Sequence, residues 1–403
     1  MDAERTGTEG TGQEGTDAQG TGQEHTDAQG TTALPGNARW CGSGKPPARV
    51  AVVDDSLTAV QAYRHATAGT AMLWRGDYHN ARQLLSALAR RIPAPAAPAP
   101  PSPPAGSGGS SDADVAADFY RHRQARAHRS RILASVLVPL VPGPAVDLRR
   151  APDISSAWTH AHGGVDGPSV VPLQDLLGVL GAEQWRVRGV FVPALDATIH
   201  PHYGTFAPVR GEYLDLVDRA PLPVTATAFD LGTGTGVLAA ILARRGIAHV
   251  VATDLSPRAI ACASGNLERL GLAGAVELLE VDMFPDGRAG LVVCNPPWLP
   301  GSASTLLDQA VYDPKSRMLR AFLSGLVAHL EPGGEGWLVI SDLAEHLGLR
   351  SRAELLGWIE AAGLRVLERL DTRPTHRRAA DAGDPFHAAR SAEVTSLWRL
   401  AAA

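Results

Sequence analysis

Three glycines at alternate positions, in Gly232-Thr233-Gly234-Thr235-Gly236, constrain this chain more than any other feature. Glycine reaches backbone conformations that a Cβ forbids, so such a run marks a sharp turn or a place where backbone closes on a ligand. Its flanks say which kind of turn. Val224 to Leu231 is β-branched and apolar around Phe229-Asp230, and Val237 to Ala243 is apolar throughout. A buried strand, a glycine-rich turn and a helix open a parallel α/β sheet. Sheets of that kind bind ligands outside the carboxyl ends of their strands. A second run, Asn295-Pro296-Pro297-Trp298, stands at such an end, after the apolar strand Leu291 to Cys294.

The glycine turn alone suits a nicotinamide cofactor as well as any other nucleoside. Three carboxylates at strand ends narrow the choice. Asp230 precedes the glycines, where it can face a cationic amino group. Asp254 ends the strand His249 to Thr253 and can take both ribose hydroxyls. Asp282 ends a third strand, Val276 to Val281, and can accept from an adenine amine. Carboxylates would repel a pyrophosphate, whereas S-adenosylmethionine has no phosphate and carries positive charge. The competing reading of Asp254 and Asp282 is helix capping, a task that Ser256-Pro257 can also perform for the second helix. The candidate cofactor residues are Asp230, Gly232, Thr233, Gly234, Gly236, Asp254, Leu255, Asp282, Met283 and Asn295.

Taken together, these runs resemble the class I S-adenosylmethionine-dependent methyltransferases. Thr253-Asp254-Leu255-Ser256-Pro257-Arg258-Ala259, Asn266, Leu270-Gly271-Leu272 and the segment Leu330 to Val339 resemble further parts of that family. The likeness extends from about Val187 to Leu400. Within the family, Asn295-Pro296-Pro297-Trp298 looks like the branch that methylates planar amides and exocyclic amines. A hairpin around Trp185 to Ile199 and the loop Pro208-Val209-Arg210-Gly211-Glu212 look like the release-factor glutamine methyltransferases, although there the arginine is next to the proline. Tyr312-Asp313-Pro314 stands where those enzymes carry Glu-Pro. The resemblance implies a Rossmann-like seven-stranded sheet preceded by a helical N-terminal domain and a β-hairpin.

The catalytic candidates are Asn295, Pro296, Pro297 and Trp298. An amide or aryl amine nitrogen is a poor nucleophile, and no ordinary side-chain base removes its proton. Fixed oxygens can instead accept its two N–H groups and aim the lone pair. The Asn295 side-chain oxygen and the Pro296 carbonyl suit this, since proline adds an acceptor without a competing donor. Two prolines stiffen the loop, and Trp298 offers a face to a planar group. The residue-level alternative is a Pro-Pro turn capped by Asn. The expected acceptor is a protein glutamine. A nucleobase amine in RNA or DNA and a small molecule are the alternatives, and a protein that binds S-adenosylmethionine or nucleic acid without catalysis is the reading from another class.

The rest of the chain bounds these expectations. Residues 1–30 hold seven acids and one base, so the net charge of -5 resides in that stretch and leaves a nearly neutral body. Such a body gives no global argument for nucleic-acid binding. Residues 1–45 repeat a polar decapeptide and are expected to form a disordered tail. A helical part over 46–92, a Pro/Ala/Gly/Ser linker over 93–111 and a helical substrate domain over 112–184 then precede a catalytic part over 185–403. Arg121, Arg123, Arg126, Arg129 and Arg131 fall on one predicted helix. A solvated face is the preferred reading, with a basic edge for RNA or an acidic protein surface as the alternative. The loop from Thr375 to Ala392 offers His376, Arg377, Arg378, Asp384 and His387 as residues that could overhang the pocket. Cys41, Cys262 and Cys294 are too few and scattered for a disulfide framework or a zinc site, which fits a reducing cytoplasm. The most apolar run, Ile132 to Val141, is broken by Pro139 and too short to span a bilayer.

Overall fold

The computed structural model describes residue 34 and residues 38–93, 112–303, 307–374 and 381–403. The expected tail through residue 33 and nearly all of the expected linker lie outside these residues.

The catalytic part is built on seven strands: β1 (Thr227–Leu231), β2 (His249–Asp254), β3 (Val276–Glu280), β4 (Ala289–Cys294), β5 (Leu330–Ser341), β6 (Leu364–Thr372) and β7 (Thr395–Ala402). Their order in the sheet is β3-β2-β1-β4-β5-β7-β6. The first five strands are parallel, and β7 runs antiparallel between β5 and β6. The order reverses between β1 and β4, the switch point where a crevice opens in doubly wound sheets.

Central strands covered on both faces need continuous apolar runs. Every residue of β4 is buried, as are Val250, Val251 and Ala252 of β2. On one face lie the helix Glu212–Arg219, α1 (Val237–Arg244) and α2 (Pro257–Arg269), packed through Leu214, Ile241, Leu267 and Trp337. On the other lie α3 (Arg317–His329) and α4 (Arg352–Ala361), packed through Phe322, Leu326, Leu355 and Ile359. Ser351 and Glu354 close a capping box at the start of α4, which satisfies two backbone donors there.

The N-terminal part corrects the expectation of a purely helical domain. It contains a six-stranded sheet in which Arg39–Trp40, Ser169–Pro172, Val136–Val141, Ala71–Trp74 and Val50–Val53 lie side by side, with Ala145–Val146 paired to Val136–Val141. Five helices flank it: Ala59–Thr67, Tyr78–Arg91, Asp112–Leu133, Ser155–His162 and Leu173–Arg188. Met72, Leu73 and Trp74 belong to a strand whose every residue is buried. Order also begins before residue 46, because Arg39 and Trp40 pair with Ser169 and Val170.

The hairpin is present over Val190–Val192 and Ala197–Ile199. Trp185 to Arg188, expected to be one of its strands, instead complete the helix Leu173–Arg188. Their alternation was misleading: Trp185 and Val187 are exposed, so no buried face exists for a strand to cover.

Candidate active site

The glycine turn forms because β1 ends beside β2. Gly232 and Thr233 both donate from their backbone N–H groups to the Thr253 carbonyl, at 2.8 Å each. Gly232, Gly234 and Gly236 all have positive φ (72°, 57° and 80°), which other residues reach only with strain. A Cβ on Gly232 would also lie 2.5 Å from the Met318 methyl, whereas one on Gly234 would meet nothing within 4 Å. The turn therefore presses on α3 at one end and stands open to the cavity at the other.

Asp230 is the clearest correction among the cofactor candidates. Its carboxylate is fully buried and does not line the cavity. Oδ2 accepts from the Thr233 hydroxyl at 2.6 Å and the Ala239 N–H at 3.0 Å, tying the turn to α1. Oδ1 has no partner among the described residues. Burial pushes the carboxyl up to about 6, against the two hydrogen bonds that favour its charged form. Asp230 shapes the turn from beneath.

Asp254 does face the cavity. Its Oδ2 accepts from Gly234 N at 3.0 Å and its Oδ1 from Ser256 N at 2.9 Å, leaving lone pairs for further donors. Burial raises its pKa as well. Ser256 stands at the N-cap of α2 without a side-chain cap bond, and Asp254 receives N–H groups from the turns on both sides of it. Leu255 is exposed beside it, and Met283 (φ 70°) is held where the Thr253 hydroxyl donates to its carbonyl at 2.6 Å. Asp282 is half-exposed at the rim and ion-paired with Arg317 at 3.2 Å. Leu255, Asp282 and Met283 all line the same cavity as Gly232, Thr233 and Gly234.

Asn295, Pro296, Pro297 and Trp298 line that cavity too, across the switch point. The Trp298 indole N–H donates to Asn295 Oδ1 at 2.9 Å, which fixes the carboxamide and leaves its oxygen a second lone pair. Tyr213 meets the Trp298 ring edge-on at 6.4 Å. The Arg210 guanidinium lies 4.7 Å from the ring centroid and is clamped by Glu212 (2.8 Å) and Glu393 (3.0 Å). Both glutamates are buried, and Glu393 also accepts from Ser341 at 2.6 Å. Sequence reasoning pointed to Arg210 only through the loop resemblance, and nothing in the sequence signalled Glu393.

The exit from Trp298 is shaped by a short parallel pairing of Leu299–Pro300 with Tyr312–Asp313. Asp313 is buried and accepts from Met318 N (3.0 Å) and Leu319 N (3.1 Å), so it caps α3 and delivers Met318 to Gly232. Of the late-loop candidates, His376, Arg377 and Arg378 lie outside the described residues. Asp384 ion-pairs at 3.0 Å with Arg390, which lines the cavity.

The cavity has a volume of about 1110 Å³, somewhat more than the usual range of about 300–1,000 Å³ for one small ligand. Its strand-end lining combines open glycine backbone with the Asp254 and Asp282 carboxylates and an exposed leucine. That donor and acceptor set fits a nucleoside without phosphates and does not fit a pyrophosphate.

A doubly wound sheet with this turn and these strand-end acids defines a nucleoside-binding α/β domain. Residues 215–355 match the methyltransferase small domain family. The chain is 33% identical over 248 residues to a ribosomal protein L11 methyltransferase of Pelotomaculum thermopropionicum, covering 60% of this chain and 71% of that one. It is 37% identical over 182 residues to a release factor glutamine methyltransferase of Cereibacter sphaeroides, covering 41% of this chain and 63% of that relative, so it spans less than two thirds of the latter's length. Among solved structures, a SAM-dependent methyltransferase from Thiobacillus denitrificans in complex with S-adenosyl-L-homocysteine covers 47% of this chain and 90% of its own at 19% identity and a TM-score of 0.33. The chain belongs to the class I S-adenosylmethionine-dependent methyltransferases.

Proposed function

We propose that this chain is an N-methyltransferase that uses S-adenosylmethionine and acts on a planar amide or amine, most concretely a glutamine side chain of a protein in the cytoplasm. The carrying observation is the Asn295 carboxamide, fixed by the Trp298 indole at 2.9 Å in the wall of the cavity that also holds the glycine turn. Two relatives named for methylating a release factor glutamine and a ribosomal protein support a protein acceptor.

When bound, S-adenosylmethionine supplies a methyl group on a sulfonium that becomes a neutral thioether after transfer. Gly232, Thr233 and Gly234 would offer backbone to it, Asp254 would take the ribose hydroxyls, and Leu255, Asp282 and Met283 would border its base. The second lone pair of Asn295 Oδ1 and the Pro296 carbonyl accept the two N–H groups of the acceptor. With both hydrogens held in the amide plane, the nitrogen's electron pair stands out of that plane toward the cofactor side. The N–CH3 bond would form as the methyl–sulfur bond breaks, and the cationic nitrogen would then release one of its protons to solvent. The rate gain would come from positioning and from fixed dipoles, with no side-chain base in the transfer itself.

The test incubates methyl-labelled S-adenosylmethionine with a methyl-poor cell extract and the native or Asn295→Ala protein. Protease-sensitive, nuclease-resistant label from the native protein alone, with S-adenosylmethionine affinity retained by the variant, is the expected result. Equal turnover by the variant would sink the mechanism, and nuclease-sensitive label would transfer the assignment to a nucleobase amine.

A further inference from the structure

The helix Asp112–Leu133 covers the acceptor side of the cavity. Its Phe119 packs with Leu299, Leu343 and Phe386. Its Arg123 guanidinium lies 3.5 Å from the Tyr312 ring centroid and donates to the Ser302 carbonyl. These contacts fix the helix to the segment that leaves Trp298. Arg126, about one turn further on, lines the cavity.

Among the described residues five arginines line that cavity, and they differ in one respect. Arg210 is clamped by Glu212 and Glu393, Arg317 by Asp282 and Arg390 by Asp384. Arg258 donates to the Ala161 carbonyl and lies over the Tyr203 ring. Arg126 makes no hydrogen bond, ion pair or ring contact among the described residues. Of the acids that line the cavity beside Tyr312, Asp313 is committed to the N-terminus of α3 and Asp308 has a partner of its own.

A guanidinium presents a rigid fork of donors matched to a carboxylate, and such charge-assisted bonds are among the stronger polar contacts. We propose that Arg126 is a specificity-determining residue that holds a negative charge on the acceptor. Resting on the protein reading above, the substrate is a glutamine with an acidic side chain close to it on the same protein surface. Arg126 lies on the helix that covers the acceptor side, so pairing with it also orients the acceptor with its amide toward Asn295.

The experiment uses the full chain and the protein labelled in the extract assay, with its modified glutamine located by mass spectrometry. Native, Arg126→Lys and Arg126→Glu enzymes are compared on that protein and on versions in which acids near the glutamine are replaced by lysine. The expected result is a rise of about tenfold or more in KM for Arg126→Glu at nearly constant kcat, with unchanged S-adenosylmethionine affinity and a smaller rise for Arg126→Lys. The lysine-bearing acceptor should be poor for the native enzyme and recovered by Arg126→Glu. If both enzymes treat acidic and lysine-bearing acceptors alike while the label stays protease-sensitive, this inference falls and the glutamine reading stands. If the label is nuclease-sensitive, the glutamine reading falls and takes the acidic-surface assignment with it.

Discussion

Asp230 permits a calculation from its surroundings. Its carboxyl titrates near 3.8 when unperturbed and is pushed up to about 6 in the folded protein, chiefly by burial. The native state therefore binds the proton more tightly than the unfolded chain. Stability from this group is fully present below about pH 3.8 and is lost as the pH rises through about 6. A gap of about two pKa units corresponds to about 3 kcal/mol in total, of which about half falls between about pH 5 and 7.5. Asp230→Asn removes the titration but keeps an oxygen for Thr233 and Ala239, which both donate to Oδ2. Urea unfolding of both proteins, followed by tryptophan fluorescence and far-ultraviolet circular dichroism, measures the difference at each pH. The native protein should lose about 1 kcal/mol or more relative to the variant over that interval. Parallel curves for the two proteins would refute the reasoning, because they would mean that Asp230 releases its proton as easily folded as unfolded.

Two further substitutions test the site's framework. Gly232→Ala should cost about 1–2 kcal/mol through its left-handed backbone. Adding Met318→Ala should recover little of that, since the Met318 methyl 2.5 Å from the new Cβ is the end of a flexible side chain that can swing away; full recovery in urea unfolding would show that the contact rather than the backbone was limiting. Arg210→Met leaves Glu212 and Glu393 buried without their cation and should lower stability by about 3 kcal/mol or more, together with kcat. Adding Glu393→Gln should return part of the stability, and a single variant as stable as the native protein in urea would show that the clamp contributes nothing.

How much of this was legible in the sequence depended on whether a residue's partner lay nearby in the chain. The turn over Gly232 to Gly236 announces itself because glycine solves a local backbone problem, and the apolar β4 run points directly at Asn295. The N-terminal strands Ala71–Trp74 and Val136–Val141 did not announce themselves. They are buried on both faces, so they show continuous apolar runs without the alternation that separates strand from helix. Asp230 illustrates a different limit. Its position before the glycines was legible, but whether its side chain points into the cavity or beneath the turn depends on Thr233 and Ala239 folding back over it. Glu393 marks the far end of the scale: it reaches Arg210 across 183 positions, and only the antiparallel β7 brings it there.

The two halves of the cavity are consequently built by different logic. The proposed cofactor half is assembled from consecutive strand ends: the open glycine backbone after β1, Asp254 at the end of β2 and Asp282 in the turn after β3. The acceptor half is assembled from distant segments that lean on one another. Leu299–Pro300 pairs with Tyr312–Asp313, Asp313 caps α3, and Phe119 and Arg123 of the helix Asp112–Leu133 rest on Tyr312 and Ser302. Asp313 spends its carboxylate on the helix, and Tyr312 spends its ring on Arg123. Both residues brace the acceptor side, and the proposed charge contact falls to Arg126 on the covering helix.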